Sequence, residues 1–188
     1  RYRVLIDASL EPGSLSYGEA ILPGTTADEF VIYMHTCHPS LANDNASGMA
    51  VCAFLARWLA SAPRRLTYRV VFGPGTIGSI TWLARNREAL PRIVGGLVLA
   101  LVGDAGPLVY KRSGSGAALI DRAAEVVLRR ELPGARFLDF SPWGYDERQF
   151  GSPGFRLPVG RLTRSAEEGY PEYHSSADNL ALVRPDAL

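Results

Sequence analysis

The chain has 188 residues, 47% hydrophobic and 21% charged, with a net charge of +1. That is one domain's worth of sequence with enough apolar content to build a core, which excludes wholesale disorder, and the near-neutral balance excludes the basic footprint of a nucleic-acid or anionic-membrane binder. Two cysteines make no disulfide framework and no apolar run approaches the ~20 residues of a membrane span, so Cys37 and Cys52 are expected to stay reduced in a cytoplasmic setting.

Tyr2 to Ile6 is a short β-type run, and Tyr17 to Leu22, closed by Pro23-Gly24, reads as a second strand in a hairpin. Phe30 to His35 is nearly all apolar, as expected of a central strand covered on both faces. Asn43-Asp44-Asn45 offers helix-capping side chains. From Met49 the apolar residues Cys52, Ala53, Leu55, Ala56 and Leu59 recur at helical spacing until Pro63 ends the helix. Leu66 to Phe72 is the next strand. The tight loop Gly73-Pro74-Gly75 follows it, and then a helix capped by Thr76 that runs through Leu83 to about Arg87.

Ile93 to Val102 reads as a buried strand ending at Gly103-Asp104, and Pro107 to Lys111 as a short one. Gly116 to Glu131 is a long amphipathic helix, with Ile120, Ala123, Ala124, Val127 and Leu128 inward and Arg122, Glu125 and Arg129 outward. Arg136 to Phe140 is a strand, Ser141 to Pro153 a polar and aromatic loop or short helix, and Leu157 to Leu162 a last core strand. Arg164 to Ser176 is a long irregular loop carrying His174, and Asp178 starts a helix. Strands alternating with helices predict an α/β fold with a mixed, mostly parallel central sheet and helices on both faces. Residues 1–188 read as a single domain, a fragment of a longer chain.

All three histidines fall in two motifs. His35 and His38 precede Asn43-Asp44-Asn45, and His174 sits in Tyr173-His174-Ser175-Ser176-Ala177-Asp178-Asn179. Imidazole and carboxylate are zinc ligand types, and a carboxylate can bridge two ions, so His35, His38, Asp44 and His174 are candidate ligands. The plainer reading makes Asn43-Asp44-Asn45 a helix cap and the histidines loop residues. Strand alternation, if it continues past His35, sends His35 and Cys37 to one face and Thr36 and His38 to the other, so the two histidines need not both bind. Asp178 would cap a helix or orient His174.

Trp143-Gly144-Tyr145-Asp146-Glu147-Arg148-Gln149-Phe150 places an acid pair among aromatics, where Asp146 or Glu147 would serve as general base or ligand. The competing reading is a helix turn with its acids at the dipole-favoured N-terminus. Gly73-Pro74-Gly75-Thr76-Ile77-Gly78-Ser79 fits neither a phosphate-binding loop nor a dinucleotide fingerprint. Cys37 beside histidines is a further, nucleophilic alternative.

Taken together and in order, Tyr17-Gly18-Glu19, Cys37 to Gly48, Thr76 to Ser79, Gly144 to Gln149 and Glu172 to Leu180 resemble the zinc aminopeptidase superfamily of co-catalytic metallo-exopeptidases, which includes glutaminyl cyclases. Within it they are similar to a bacterial aminopeptidase-like branch. The resemblance spans nearly the whole chain. It implies a zinc-exopeptidase fold, one or two zinc ions, and hydrolysis of a peptide or amide bond in a small peptide or aminoacyl-amide substrate, and it leaves room for a homo-oligomer. It implies His35, with His38 as rival, as one ligand, Asp44 as the metal-bridging carboxylate and His174 as the C-terminal ligand.

The sequence departs from that pattern in two places. The peptidases carry a Glu-Glu pair, one base and one ligand, where this chain has Gly73-Pro74-Gly75. They carry an Asp near the place of Ala100, where this chain has only Asp104 close by. Asp146 or Glu147 would then supply the base, or the site would be a degenerate binding module.

Overall fold

The computed structural model describes residues 2–165 and 169–188. Seven strands form one sheet in the order β1-β3-β2-β4-β7-β5-β6. They are β1 (Gly18–Leu22), β2 (Glu29–His35), β3 (Thr67–Gly73), β4 (Ile93–Leu99), β5 (Leu108–Lys111), β6 (Arg136–Leu138) and β7 (Val159–Arg164). The four central strands run parallel, and β1 and β5 pair antiparallel with their neighbours β3 and β7. This is the mixed, mostly parallel sheet expected from the alternation of elements.

The helices are α1 (Gly48–Ala60), α2 (Ile77–Arg85), α3 (Leu119–Glu131) and the single turn α4 (Glu147–Phe150). Side chains alternate along β2 and so feed two cores. Val31 and Tyr33 pack with Trp82 of α2 and Phe150 of α4. Ile32 and Met34 pack on the other face with Cys52, Leu55 and Leu59 of α1. Burial on both faces is why β2 reads as a continuous apolar run. His35 is the next residue on the Val31–Tyr33 face, and it is buried where β2 stops.

Several boundaries differ from expectation. Tyr2 to Ile6 forms no strand, and its apolar side chains are exposed. The hairpin does not form, because β1 pairs with β3, Gly18 opposite Phe72 and Leu22 opposite Tyr68. A partly buried ion-pair network suits that pairing: Arg69 of β3 bonds Glu19 of β1 at 2.8 Å and Glu29 of β2 at 2.6 Å. β4 ends at Leu99, because the N–H groups of Leu101, Val102 and Gly103 donate to side chains of the Asn43–Ser47 turn instead of to a neighbouring strand. In α3, Leu128 is buried but Ala123 and Val127 are exposed, so the inward stripe is narrower than the periodicity suggests. No helix starts at Asp178, whose carboxylate is taken up by other partners.

No helix among the described residues is long and apolar enough to cross a membrane. The chain after β2, β3, β4 and β7 emerges at the carboxyl ends of the parallel strands, where α/β sheets hold their ligands.

Candidate active site

The turn Ala42–Ser47 is wide, and Asp44 and Asn45 within it depart from helical geometry. None of its side chains caps α1. They bind the loop after β4 instead. Asn45 Nδ2 donates to the Leu99 carbonyl and its Oδ1 accepts from Leu101 N–H, both at 3.0 Å. Asn43 Oδ1 accepts from Gly103 N–H at 2.8 Å, and its Nδ2 donates to Asp104 at 2.8 Å. Asp178 Oδ1 and Oδ2 accept the backbone N–H groups of Asn43 and Asp44 at 2.6 and 3.1 Å, which ties the His174 loop to the turn. Buried amides that would otherwise lack partners are thereby satisfied, and Asp44 is held rigidly.

All three histidines converge on that carboxylate. His35 Nε2 lies 2.5 Å from Asp44 Oδ1, while His174 Nε2 and His38 Nδ1 lie 3.0 and 3.3 Å from Oδ2. Asp44 is fully buried, His38 partly covered, and His174 half exposed. Burial pushes the Asp44 carboxyl up. The His35 hydrogen bond and the three imidazoles outweigh it and hold the group below the usual carboxylate range.

Two ligand sets result, each with donor atoms within 4.8 Å of one another: His38, Asp44 and His174, and His35, Cys37 and His38. The strand periodicity therefore does not run past His35, and the loop turns back to bring His38 to the same side. His35 Nδ1 is buried with no hydrogen-bond partner among the described residues. A buried imidazole nitrogen without a partner, in a cluster of three imidazoles and one carboxylate, belongs to a donor set that fits a zinc ion.

Aromatic rings hold the histidines in place. Tyr145 stacks on His35 with centroids 5.5 Å apart, and the Arg161 guanidinium lies over the Tyr145 ring, 5.2 Å from its centroid. Tyr173 stacks on His174 at 3.8 Å, and the two tyrosine hydroxyls are 3.2 Å apart. Neither tyrosine was singled out by sequence as functional, although each adjoins a residue that was: Tyr145 precedes Asp146 and Tyr173 precedes His174.

The acid pair splits. Asp146 lines a cavity of about 270 Å³ together with His35, His38, His174, Cys37 and Gly75. Its Oδ1 accepts from Ser79 Oγ at 2.6 Å, and its buried Oδ2 has no partner among the described residues. Burial pushes its carboxyl up to about 6. Gly75 stands in the loop where the resemblance implies glutamates, and a Cβ placed on it would lie 3.3 Å from Asp146 Oδ2. Asp146 thus borders the volume that a side chain at position 75 would enter.

Glu147 is placed elsewhere. It is fully buried between Lys111 Nζ at 3.0 Å and Arg161 Nη1 at 3.2 Å, and it also accepts the Tyr145 N–H at 3.1 Å. Lys111 further donates to the Trp143 carbonyl. This cluster sits against Gly144, whose φ of +131° suits glycine and whose missing side chain leaves room for Glu147. Asp104 is likewise outside the cavity, bonded to Asn43, Ser165 and Gly106. No sequence pattern marked Lys111 or Arg161, since each reads as one more residue of a strand.

A family model described as "Domain of unknown function (DUF4910)" matches residues 7–188. A Clostridium acetobutylicum protein whose name includes an aminopeptidase-like domain is 50% identical over 187 residues, covering 100% of this chain and 43% of that protein. A crystal structure of a "putative peptidase" from Clostridium acetobutylicum is 47% identical with a TM-score of 0.88, covering 91% of this chain and 40% of that one. A zinc aminopeptidase of Bacillus subtilis shares the fold with a TM-score of 0.76 at 20% identity, covering 91% of this chain and 45% of that one. The chain spans less than half the length of each of these relatives.

Proposed function

The chain belongs to the DUF4910 family, an aminopeptidase-like branch, and from that premise we propose that it is a zinc-dependent hydrolase of peptide or amide bonds in small peptides or aminoacyl amides. The observation that carries the reading is the convergence of His35, His38 and His174 on the buried carboxylate of Asp44. His38, Asp44 and His174 would hold one ion, with His35 beside them to complete its shell or to bind a second. When bound, zinc supplies Lewis-acid activation of a carbonyl.

Asp146 takes the proton of the attacking water on its unpartnered Oδ2 and returns it to the departing amine. The C–O bond forms as the C–N bond breaks, giving a carboxylic acid and an amine. A carboxyl that titrates near 6 is matched to that exchange at neutral pH. Its place beside Gly75 supports it as the stand-in for the absent glutamate base. Glu147 positions Tyr145, which in turn orients His35.

The test combines zinc analysis with hydrolysis of aminoacyl amides. Wild-type chain is expected to hold zinc and to turn over. Asp44→Asn and His174→Ala are expected to lose zinc, and Asp146→Asn to keep zinc and lose turnover. Chain that takes up no zinc would sink the reading. Zinc uptake without turnover would favour a second reading, a binding module on a peptidase fold, which the missing carboxylates at Gly73-Pro74-Gly75 motivate. Turnover that survives a chelator and dies in Cys37→Ser would favour thiol chemistry.

A further inference from the structure

A second cavity of about 720 Å³ adjoins the histidine pocket, and the two share Arg148 as a common wall. Phe140 and proline rings give the larger cavity an apolar side, Ser115, Gln149 and Ser152 give it polar groups, and Arg148 and Arg156 give it charge. No carboxylate is among its described lining residues.

The two arginines are placed for a ligand more than for the fold. Neither guanidinium is in an ion pair among the described residues, whereas Arg69, Arg112 and Arg161 each hold one or more carboxylates. The Arg148 Nε is buried with no hydrogen-bond partner. A buried guanidinium N–H left without an acceptor costs stability, and an incoming anion removes that cost. Arg156 sits at a φ of +51°, an uncommon conformation for a residue with a side chain. Its turn is closed by Phe155 N–H and Arg156 N–H, both donating to the Ser152 carbonyl at 2.9 Å, and Phe155 and Leu157 pack into the core on either side. The arginine backbone is thus fixed while its side chain is directed to the cleft.

We propose that this cleft is the specificity subsite of the hydrolase and takes an anionic group, a carboxylate or a phosphate, carried by the substrate. The inference rests on the amide-hydrolase reading for its meaning. Arg148, at the boundary, would contact the anion nearest the scissile bond, and Arg156 would close the outer side. Forked N–H donors suit the paired oxygens of either anion, and the apolar wall takes the carbon chain that carries it.

Calorimetric titration of the metal-free chain tests this without turnover and without an ion for the probe to chelate. The probes are glutarate, phenyl phosphate and the uncharged glutaramide. Binding of at least one anion, about tenfold or more tighter than glutaramide, is expected, and which anion is tighter identifies the group. Arg148→Gln and Arg156→Gln are each expected to weaken it about tenfold, and the double variant to abolish it. Urea midpoints within error of wild type would show that the variants are folded. Anions and glutaramide binding alike, neither anion binding, or folded variants binding like wild type would each overturn the proposal. Anion binding by a chain that never hydrolyses an amide would keep the subsite and remove the hydrolase reading. Hydrolysis without anion selectivity would do the reverse.

Discussion

Asp146→Asn, studied in metal-free chain, tests the electrostatics of the site directly. Burial raises the Asp146 carboxyl from 3.8 to about 6 in the fold. Between those values the folded chain holds a proton that the unfolded chain has released. The stabilising contribution is therefore fully present below 3.8 and is lost as pH climbs through about 6, above which a bare carboxylate stays buried. A separation of about two pH units at about 1.4 kcal/mol each gives about 3 kcal/mol. Asn cannot ionise, and its carbonyl keeps the bond from Ser79 Oγ. The variant should thus match wild type near pH 3 and exceed it by about 3 kcal/mol at pH 7.5, with no further gain above that. Urea unfolding followed by the fluorescence of buried Trp82, with chelator present and at several pH values, measures the difference. A difference independent of pH, or a variant less stable than wild type at pH 8, would refute the reasoning.

Glu147→Gln removes the carboxylate from the buried Lys111–Glu147–Arg161 cluster and should cost about 3–5 kcal/mol in urea unfolding, the cost of leaving buried charge uncompensated. Tyr145→Leu removes the ring stacked on His35 and should weaken zinc binding roughly 10- to 100-fold in a competition titration, with little change in the fold. Zinc at a thousandfold excess over its dissociation constant should stabilise wild-type chain by about 4 kcal/mol, and Asp44→Asn should erase that gain in the same melt. Gly144→Ala places a side chain against Glu147 at a φ of +131° and should cost at least about 2 kcal/mol.

Periodicity was sufficient for the sheet. The apolar runs at β2, β3, β4 and β7 carry many of the residues that fill both cores, because a strand covered on two faces is apolar along much of its length. It was insufficient at the edges. β1 looked like half of a hairpin, and its partner β3 lies some fifty residues away, with the Glu19–Arg69 bond joining the two strands. Tyr2 to Ile6 has strand composition without a strand to pair with.

The chemistry of the site was written in residue types: three histidines in two motifs, and carboxylates at Asp44 and Asp146. Those types limit what the chain is able to ligate, wherever the fold puts them. Their division of labour came from tertiary structure alone. Asp146 and Glu147 are adjacent in sequence, yet one faces the histidines with a free oxygen and the other is enclosed by Lys111 and Arg161. Adjacent side chains on a tight turn point in different directions, and the partners that decide their roles come from strands distant in sequence. The same holds for Asn43-Asp44-Asn45. Its sequence says helix cap, and its role as the clasp between β2, the loop after β4 and the His174 loop exists only once those three segments meet.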